Sequence, residues 1–232
     1  MRNFVLLLLI SILGLWWTYE GPGKWRQGHP LVAPSKSLVH FSMGQNEILA
    51  DMLWVRWIQN LEYCGPSSAP VETRKPPPVR AEDVLNSPLS PAQCHLGWSY
   101  QMVDVITDLA SKDFLMHKYG ALFLSVDVGD REGAKFIYNK AIQRFPDDWT
   151  LLYQASYHFL FELHQQKKAA ELLLAASEKK GSPYFLPSLA ARLLTLSGQK
   201  ELAVRHLKDY IAQNPGTVGA KYAEQRLRAL AN

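Results

Sequence analysis

The sequence predicts an all-α protein in which helical hairpins stack behind a membrane-inserting N-terminal segment. Three observations favour this fold class. Apolar residues with helical spacing recur about every 34 residues between positions 114 and 215. Glycine and proline interrupt these runs at repeating positions. The chain also opens with a nearly continuous apolar run, the usual layout of a secretory signal or a signal anchor.

The recurrence is marked by Ala134, Ala169 and Ala203, which lie 35 and 34 positions apart. A bulky residue follows each marker four positions on, and a further helical residue follows seven positions on. These are Tyr138, Leu173 and Leu207, then Ala141, Ala176 and Tyr210. Because small residues at fixed places let two antiparallel helices approach closely, each marker predicts the second helix of a hairpin.

Turn residues bracket the same helices. Gly129 and Gly198 precede the first and third markers by five positions, and Pro146 and Pro215 follow them by twelve. The middle copy has His164 in the place of the glycine, and it ends near 181–183 with a Gly and a Pro. Glycine permits a left-handed turn and proline ends a helix. One hairpin cannot bury its own apolar face, so the copies are expected to stack.

The stretch 114–215 resembles the tetratricopeptide repeat (TPR) family on these Gly, Ala, bulky, Ala and Pro positions. The resemblance covers less than half of the chain, and Lys118, Tyr153 and Pro187 stand where the family favours Trp. It implies a helical-hairpin solenoid of three repeats, closed by a half-polar capping helix in 216–232. An irregular helical domain with accidental spacing is the alternative.

The apolar run from Phe4 to Trp17 follows a single early charge at Arg2. It is about 14 residues long, shorter than the roughly 20 that span a bilayer comfortably. No small-x-small cleavage site follows the run. We therefore predict an uncleaved signal anchor or transmembrane helix over 1–19, with a cleaved signal or a buried helix as alternatives. Interfacial aromatic residues are expected at Trp16, Trp17, Tyr19 and Trp25.

A signal-like start usually sends the following chain across the membrane. The sequence thus predicts a bacterial inner-membrane protein that crosses the membrane once, inserted through residues 4–19, with its bulk in the periplasm. If the segment is cleaved, the protein is soluble in the periplasm. Residues 20–44 are rich in Gly and Pro and predict a semi-rigid linker.

A degenerate helical pair is expected in 45–113, split by a Pro-rich insertion over 64–91. The first helix, 45–63, is so broadly apolar that we expect it to be buried on several sides. The second is expected to begin at Ser90-Pro91, as an N-cap followed by a first-turn proline, and to end near Ser111. The insertion is either a partner-binding arm or a solvent-exposed loop.

Cys64 and Cys94 are the only two cysteines, and they flank this insertion. If the two helices are antiparallel neighbours, these positions can meet. Such a bridge would close a loop of roughly 30 residues and stabilise the fold by about 3 to 4 kcal/mol. An exporting compartment permits it, so we predict a Cys64–Cys94 disulfide.

No motif for catalysis or metal binding is found. The sequence has no Gly-rich phosphate loop, no His-Glu-x-x-His and no Cys-x-x-Cys. With 25 basic and 21 acidic residues, the net charge of +4 is mild and does not call for a nucleic-acid partner. We therefore predict no catalytic residues, no metal site and no cofactor.

The TPR resemblance implies that the first helix of each pair lines a concave groove. It assigns to the groove Tyr119, Phe123, Gln154, His158, Phe161, Glu162, Ser188 and Arg192. Such a groove suits an extended peptide or a partner helix. We expect a non-enzymatic, membrane-anchored adaptor that binds or assembles proteins of the cell envelope.

Two alternatives stay open. The chain could be a structural subunit of a larger membrane complex, with helix 45–63 packed on a neighbouring protein. It could also be a periplasmic glycan-binding protein or enzyme, since the first helix of the second repeat is densely aromatic. That second alternative needs polar groups beside the rings, and Glu162, His158 and Arg192 are the candidates.

Overall fold

The computed structural model describes residues 31–61, 63–64 and 92–231. Within these ranges the chain is all-helical: it forms ten α-helices and one π-helical turn, and no strand. The helices are α1 Leu38–Phe41, α2 Asn46–Ile58, α3 Trp98–Leu109, α4 Phe114–Val126, α5 Arg131–Arg144, α6 Trp149–Tyr157, the π-helical turn His158–Glu162, α7 Gln166–Ser177, α8 Leu186–Leu196, α9 Lys200–Gln213 and α10 Val218–Ala231.

Each helix from α2 onward packs against its neighbour in the chain, and α10 packs on both α9 and α8. The marker residues Ala134, Ala169 and Ala203 are fully buried in α5, α7 and α9. The bulky residues four positions later are also buried, namely Tyr138, Leu173 and Leu207. The small residues therefore lie inside the helix packing, where the sequence predicted them.

The turns inside the three hairpins have the predicted left-handed conformation. Gly129 and Gly198 have φ angles of 71° and 79°, and His164 takes the same conformation with a φ of 53°. The backbone N–H groups of Asp130 and Gln165 reach back to carbonyls of the preceding helix, at 2.8 and 2.7 Å. These bonds satisfy carbonyls that the helix end would otherwise leave unpaired.

Helices α2 and α3 pack against each other. The predicted pairing of Cys64 with Cys94 is also present, with their Cα atoms 5.4 Å apart. The predicted start of the second helix at Ser90 is wrong, because α3 begins at Trp98. Cys94 lies four residues before that start, and Leu96 has a positive φ of 49°, so the backbone around the bridge cannot be helical.

A close backbone contact fixes this junction. The N–H of Trp98 donates to the carbonyl oxygen of Cys64 at 3.0 Å, and a Cβ added at Gly97 would overlap that oxygen. The N–H of Gly97 donates to the carboxylate of Asp130 at 3.3 Å. The same carboxylate caps α5 by accepting from the Gly133 N–H at 2.8 Å. The disulfide junction is thereby joined to the next hairpin.

Helix α2 differs from the prediction that it is buried on several sides. Only Ala50 and Trp57 are buried in it. Four large apolar side chains are exposed, namely Ile48, Met52, Val55 and Ile58, whereas Leu49, Leu53 and Trp54 are half-buried. The helix therefore packs along one narrow face, and its opposite apolar face is covered by none of the described residues.

The structure describes residues 31–44 of the predicted linker. The described residues from Ala33 onward belong to one compact unit, and α1 lies inside the predicted range 20–44. Helix α1 packs on α3, and Lys36 just before it forms an ion pair with Asp104. The predicted anchor, its aromatic residues and most of the Pro-rich insertion lie outside the described residues. Among the described helices, none is both long and apolar enough to cross a membrane.

An ion-pair network around one buried carboxylate ties the first hairpins together. Asp104 on α3 is nearly fully buried and pairs with Lys36 and with Lys140 of α5. The Nζ of Lys140 also lies 3.0 Å from Asp108, which Arg144 contacts at 3.1 Å. Burial raises the pKa of Asp104, but the hydrogen bonds from Lys140 and Lys36 outweigh it and hold that pKa below its usual value. Asp104 is therefore ionised and paired.

Candidate functional site: an aromatic surface

A chain of aromatic rings, four of them exposed and two half-buried, runs from the π-helical turn through α6 to α10. Successive ring centroids lie 5.3, 5.1, 6.4, 6.0 and 5.2 Å apart, within the range of favourable ring contacts. In order, the rings belong to Phe161, Tyr157, Tyr153, Phe185, Tyr184 and Tyr222. We call these residues the aromatic surface.

The aromatic surface is accessible to a partner. Tyr157, Tyr184 and Tyr222 are 46%, 48% and 46% exposed, and Phe185 is also exposed. Single exposed apolar residues are common on soluble proteins, but contiguous exposed patches mark interaction sites. The rings come from α6, the π-helical turn, the two residues just before α8, and α10, so the surface runs across several elements.

Tyr153 and Tyr157 form the polar edge of this surface. They are four residues apart, which places them on one face of α6, and the Tyr153 hydroxyl donates to the Tyr157 hydroxyl at 3.1 Å. Burial and then the neighbouring hydroxyl raise the pKa of Tyr153 to about 12, so it is neutral at physiological pH. The surface thus offers ring faces with hydroxyl groups beside them. That combination suits an extended peptide that has apolar side chains and free backbone amides.

A second ring cluster lies on α2 and α4. Trp54 contacts Trp57 at 4.9 Å, Trp57 contacts Phe123 at 6.1 Å, and Phe123 contacts Tyr119 at 6.4 Å. Trp57 is fully buried, whereas Tyr119 is exposed. Two of the predicted groove residues, Tyr119 and Phe123, therefore belong to this cluster, and Phe123 is held against α2. Phe161 is the predicted residue that belongs to the aromatic surface.

His158 does not lie on a groove surface as predicted, because it is 3% exposed. Its Nδ1 lies 2.7 Å from the Ser125 hydroxyl and its Nε2 lies 3.1 Å from the Arg131 carbonyl. Since the carbonyl can only accept, Nε2 is the protonated nitrogen and Nδ1 accepts from Ser125. Burial lowers the pKa of His158 to about 4, so the ring is neutral. It is a packing residue between α4, α5 and the π-helical turn.

The remaining predicted groove residues lie on three different elements, namely α6, the π-helical turn and α8. Glu162 is half-buried and pairs with Arg131 at 3.1 Å. Gln154 is half-buried and hydrogen-bonds the hydroxyl of buried Tyr138. Ser188 is half-buried, its hydroxyl oxygen buried without a hydrogen-bond partner among the described residues, and Arg192 is exposed. Of the polar groups that the glycan alternative requires, His158 is buried and Glu162 is paired with Arg131.

Tyr153 and Tyr157 were not among the predicted groove residues, and each lies one position before a residue that was. Gln154 and His158 were assigned to the groove, whereas the aromatic surface contains the adjacent residues, half-buried Tyr153 and exposed Tyr157. A shift of one residue turns a side chain by about 100° around a helix. The spacing Tyr153, Tyr157 and then Phe161, four residues each, was a usable signal for one aromatic face.

The described residues contain no group of three or more His, Cys, Asp or Glu side chains arranged to hold a metal ion. The chain matches no protein-family model, and comparisons with curated proteins and with solved structures find no significant similarity. The aromatic surface and the packing of the hairpins are therefore the observations available for assigning a function.

Proposed function

We propose that this chain is a non-enzymatic adaptor, anchored in the membrane, that holds a protein of the cell envelope on the aromatic surface. The ring chain from Phe161 to Tyr222 is the observation that supports this proposal most directly. The TPR-like pattern of the sequence favours the same function, because the first helices of such repeats form binding surfaces. The disulfide is compatible with an oxidising compartment such as the periplasm.

The ligand proposed for this surface is an extended protein segment with apolar or proline side chains. Those side chains would lie between the rings, and its backbone amides would reach the hydroxyls of Tyr153 and Tyr157. Aromatic-lined surfaces recognise such segments because the segment loses little conformational entropy when it binds.

Quantitative capture with matched variants tests the proposal. In the full-length chain, Tyr157→Ala combined with Phe185→Ala removes the two rings that contact Tyr153 from either side. We expect the affinity for the captured envelope protein to fall at least tenfold, since buried aromatic anchors dominate binding energies. Phe136→Ala is the control, because Phe136 is similarly exposed on α5 and lies outside the aromatic surface. Equal capture by both variants would refute the assignment of the site.

A further inference from the structure

The exposed face of α2 has the residue pattern of a helix that pairs with another helix. Ile48, Met52 and Val55 follow one another at spacings of four and three, and Gln59 follows four residues later. Alternating spacings of four and three are those of the contacting positions in a two-helix pair. All three apolar side chains are exposed, and Met52 is 65% exposed.

The buried residues of α2 lie on the opposite side of the helix. Ala50 and Trp57, both with no exposed surface, are seven residues apart and fall at the positions farthest from the exposed stripe. The helix is therefore attached to its own domain by one face and presents the stripe on the other. Phe41 and Met43, just before α2, are exposed as well and extend the apolar area at its N-terminal end.

Two charged residues flank the stripe on opposite edges. Asp51 and Arg56 are both exposed, are five positions apart, and form no ion pair with any residue that the structure describes. In a parallel pair of identical helices, a residue on one edge faces the residue five positions later on the partner. Asp51 of each copy then meets Arg56 of the other, twice by symmetry.

We propose that a second copy of this chain covers the exposed face of α2, with the two α2 helices parallel about a two-fold axis. An antiparallel pair fits less well, because the edge with Asp51 and Glu47 would then face its own copy and bring like charges together. A lipid surface also fits less well, because helices that bind membranes carry mainly Lys and Arg beside the apolar face. This inference does not depend on the proposed adaptor function.

Cysteine cross-linking of the full-length chain tests the proposal. Both native cysteines are bridged to each other, so an added cysteine is the only free thiol. In a parallel pair Val55 faces Val55 of the second copy, so Val55→Cys should form a disulfide-linked dimer under mild oxidation. Phe136→Cys is the control, because Phe136 is exposed on α5, away from α2.

The charges provide a second readout in the Val55→Cys background. Asp51→Arg alone or Arg56→Asp alone should lower the yield of cross-linked dimer by about three- to tenfold, because each change places like charges together. The combined variant Asp51→Arg with Arg56→Asp should restore the yield. Circular dichroism checks that each variant keeps its helix content.

Several outcomes would overturn the proposal. One is a Val55→Cys dimer yield no higher than that of Phe136→Cys. Another is cross-linking of Val55→Cys to a different protein, which would assign the face to a heterologous partner. A thiol that stays monomeric but is shielded from a water-soluble maleimide only in the presence of lipid vesicles would assign it to the membrane. Single charge reversals that leave the yield unchanged would reject the parallel register.

Discussion

At the scale of single residues, Gly97 has the least room for a side chain among the glycines that the structure describes. A Cβ there would overlap the carbonyl oxygen of Cys64, which also accepts the hydrogen bond from Trp98. We expect Gly97→Ala to lower the free energy of unfolding by about 2 to 4 kcal/mol, because the backbone beside the disulfide must move. Urea denaturation measures this difference.

Gly44→Ala is the matched control. Gly44 has a positive φ of 82°, but no atom lies within 4 Å of an added Cβ. Gly44→Ala should therefore lower the free energy of unfolding by only about 1 to 2 kcal/mol, the cost of placing a Cβ in a left-handed backbone conformation. If the two variants are equally stable, the close approach to Cys64 does not constrain the fold.

His158 makes stability depend on pH. Burial lowers its pKa from 6.5 to about 4, so the unfolded chain binds a proton more readily than the folded chain between those values. The stabilising effect of the neutral ring is complete above pH 6.5 and is lost as the pH falls towards 4. We expect the free energy of unfolding to fall by about 2 to 3 kcal/mol between pH 7.5 and pH 4.5.

The variant His158→Gln should show a shallower decline in urea titrations over the same range. Some decline should remain, because burial also lowers the pKa of His117. Asp104 affects stability in a different pH range. Because its pKa is lowered, its ion pairs stabilise the folded state until the pH falls below the usual pKa of an aspartate. Identical pH profiles for the variant and the parent chain would show that His158 is not a buried neutral ring.

At the scale of helices, the sequence predicted the hairpins best where small residues and turn residues recur. Small residues were predicted to be buried between helices, and Ala134, Ala169 and Ala203 are buried there. Glycine favours the left-handed conformation, and Gly129 and Gly198 adopt it in the turns. His164 was placed at the equivalent turn by period alone, and it adopts the same conformation.

Helix boundaries and burial were predicted less well, for identifiable reasons. The Ser90-Pro91 signal is local, whereas the start of α3 at Trp98 is set by the distant Cys64 backbone. His158 was placed on the groove although it is buried, because a phase error of one position turns a side chain by about 100° around a helix. Composition also showed α2 to be apolar but could not show how many neighbours it has.

The disulfide between Cys64 and Cys94 is predicted to hold the α2–α3 pair together. The two residues are 30 positions apart, and a bridge over such a loop contributes about 3 to 4 kcal/mol. Replacing both cysteines with Ser should lower the free energy of unfolding by roughly that amount, measured by urea denaturation. A reducing agent should destabilise the parent chain but leave the double variant unchanged. Equal sensitivity of both chains to reductant would contradict this role.

At the scale of the whole molecule, the described helices form one compact unit with two exposed apolar features on different elements. The aromatic surface involves α6, the π-helical turn, the residues just before α8, and α10, and the exposed face of α2 lies at the other end of the helix order. The proposed partner segment and the proposed second copy therefore use different helices. Substitutions in one feature should leave the other interaction intact, which allows the two proposals to be tested separately.

Site-specific photo-cross-linking in cells tests the central claim most directly. A photoreactive residue is placed in the full-length chain at Tyr157, at Tyr184, or at the control position Phe136, all similarly exposed. If the aromatic surface binds a protein, the first two positions should cross-link to the same envelope protein and Phe136 should not. Absence of cross-links at Tyr157 and Tyr184, or an equal yield at Phe136, would contradict the proposed binding surface.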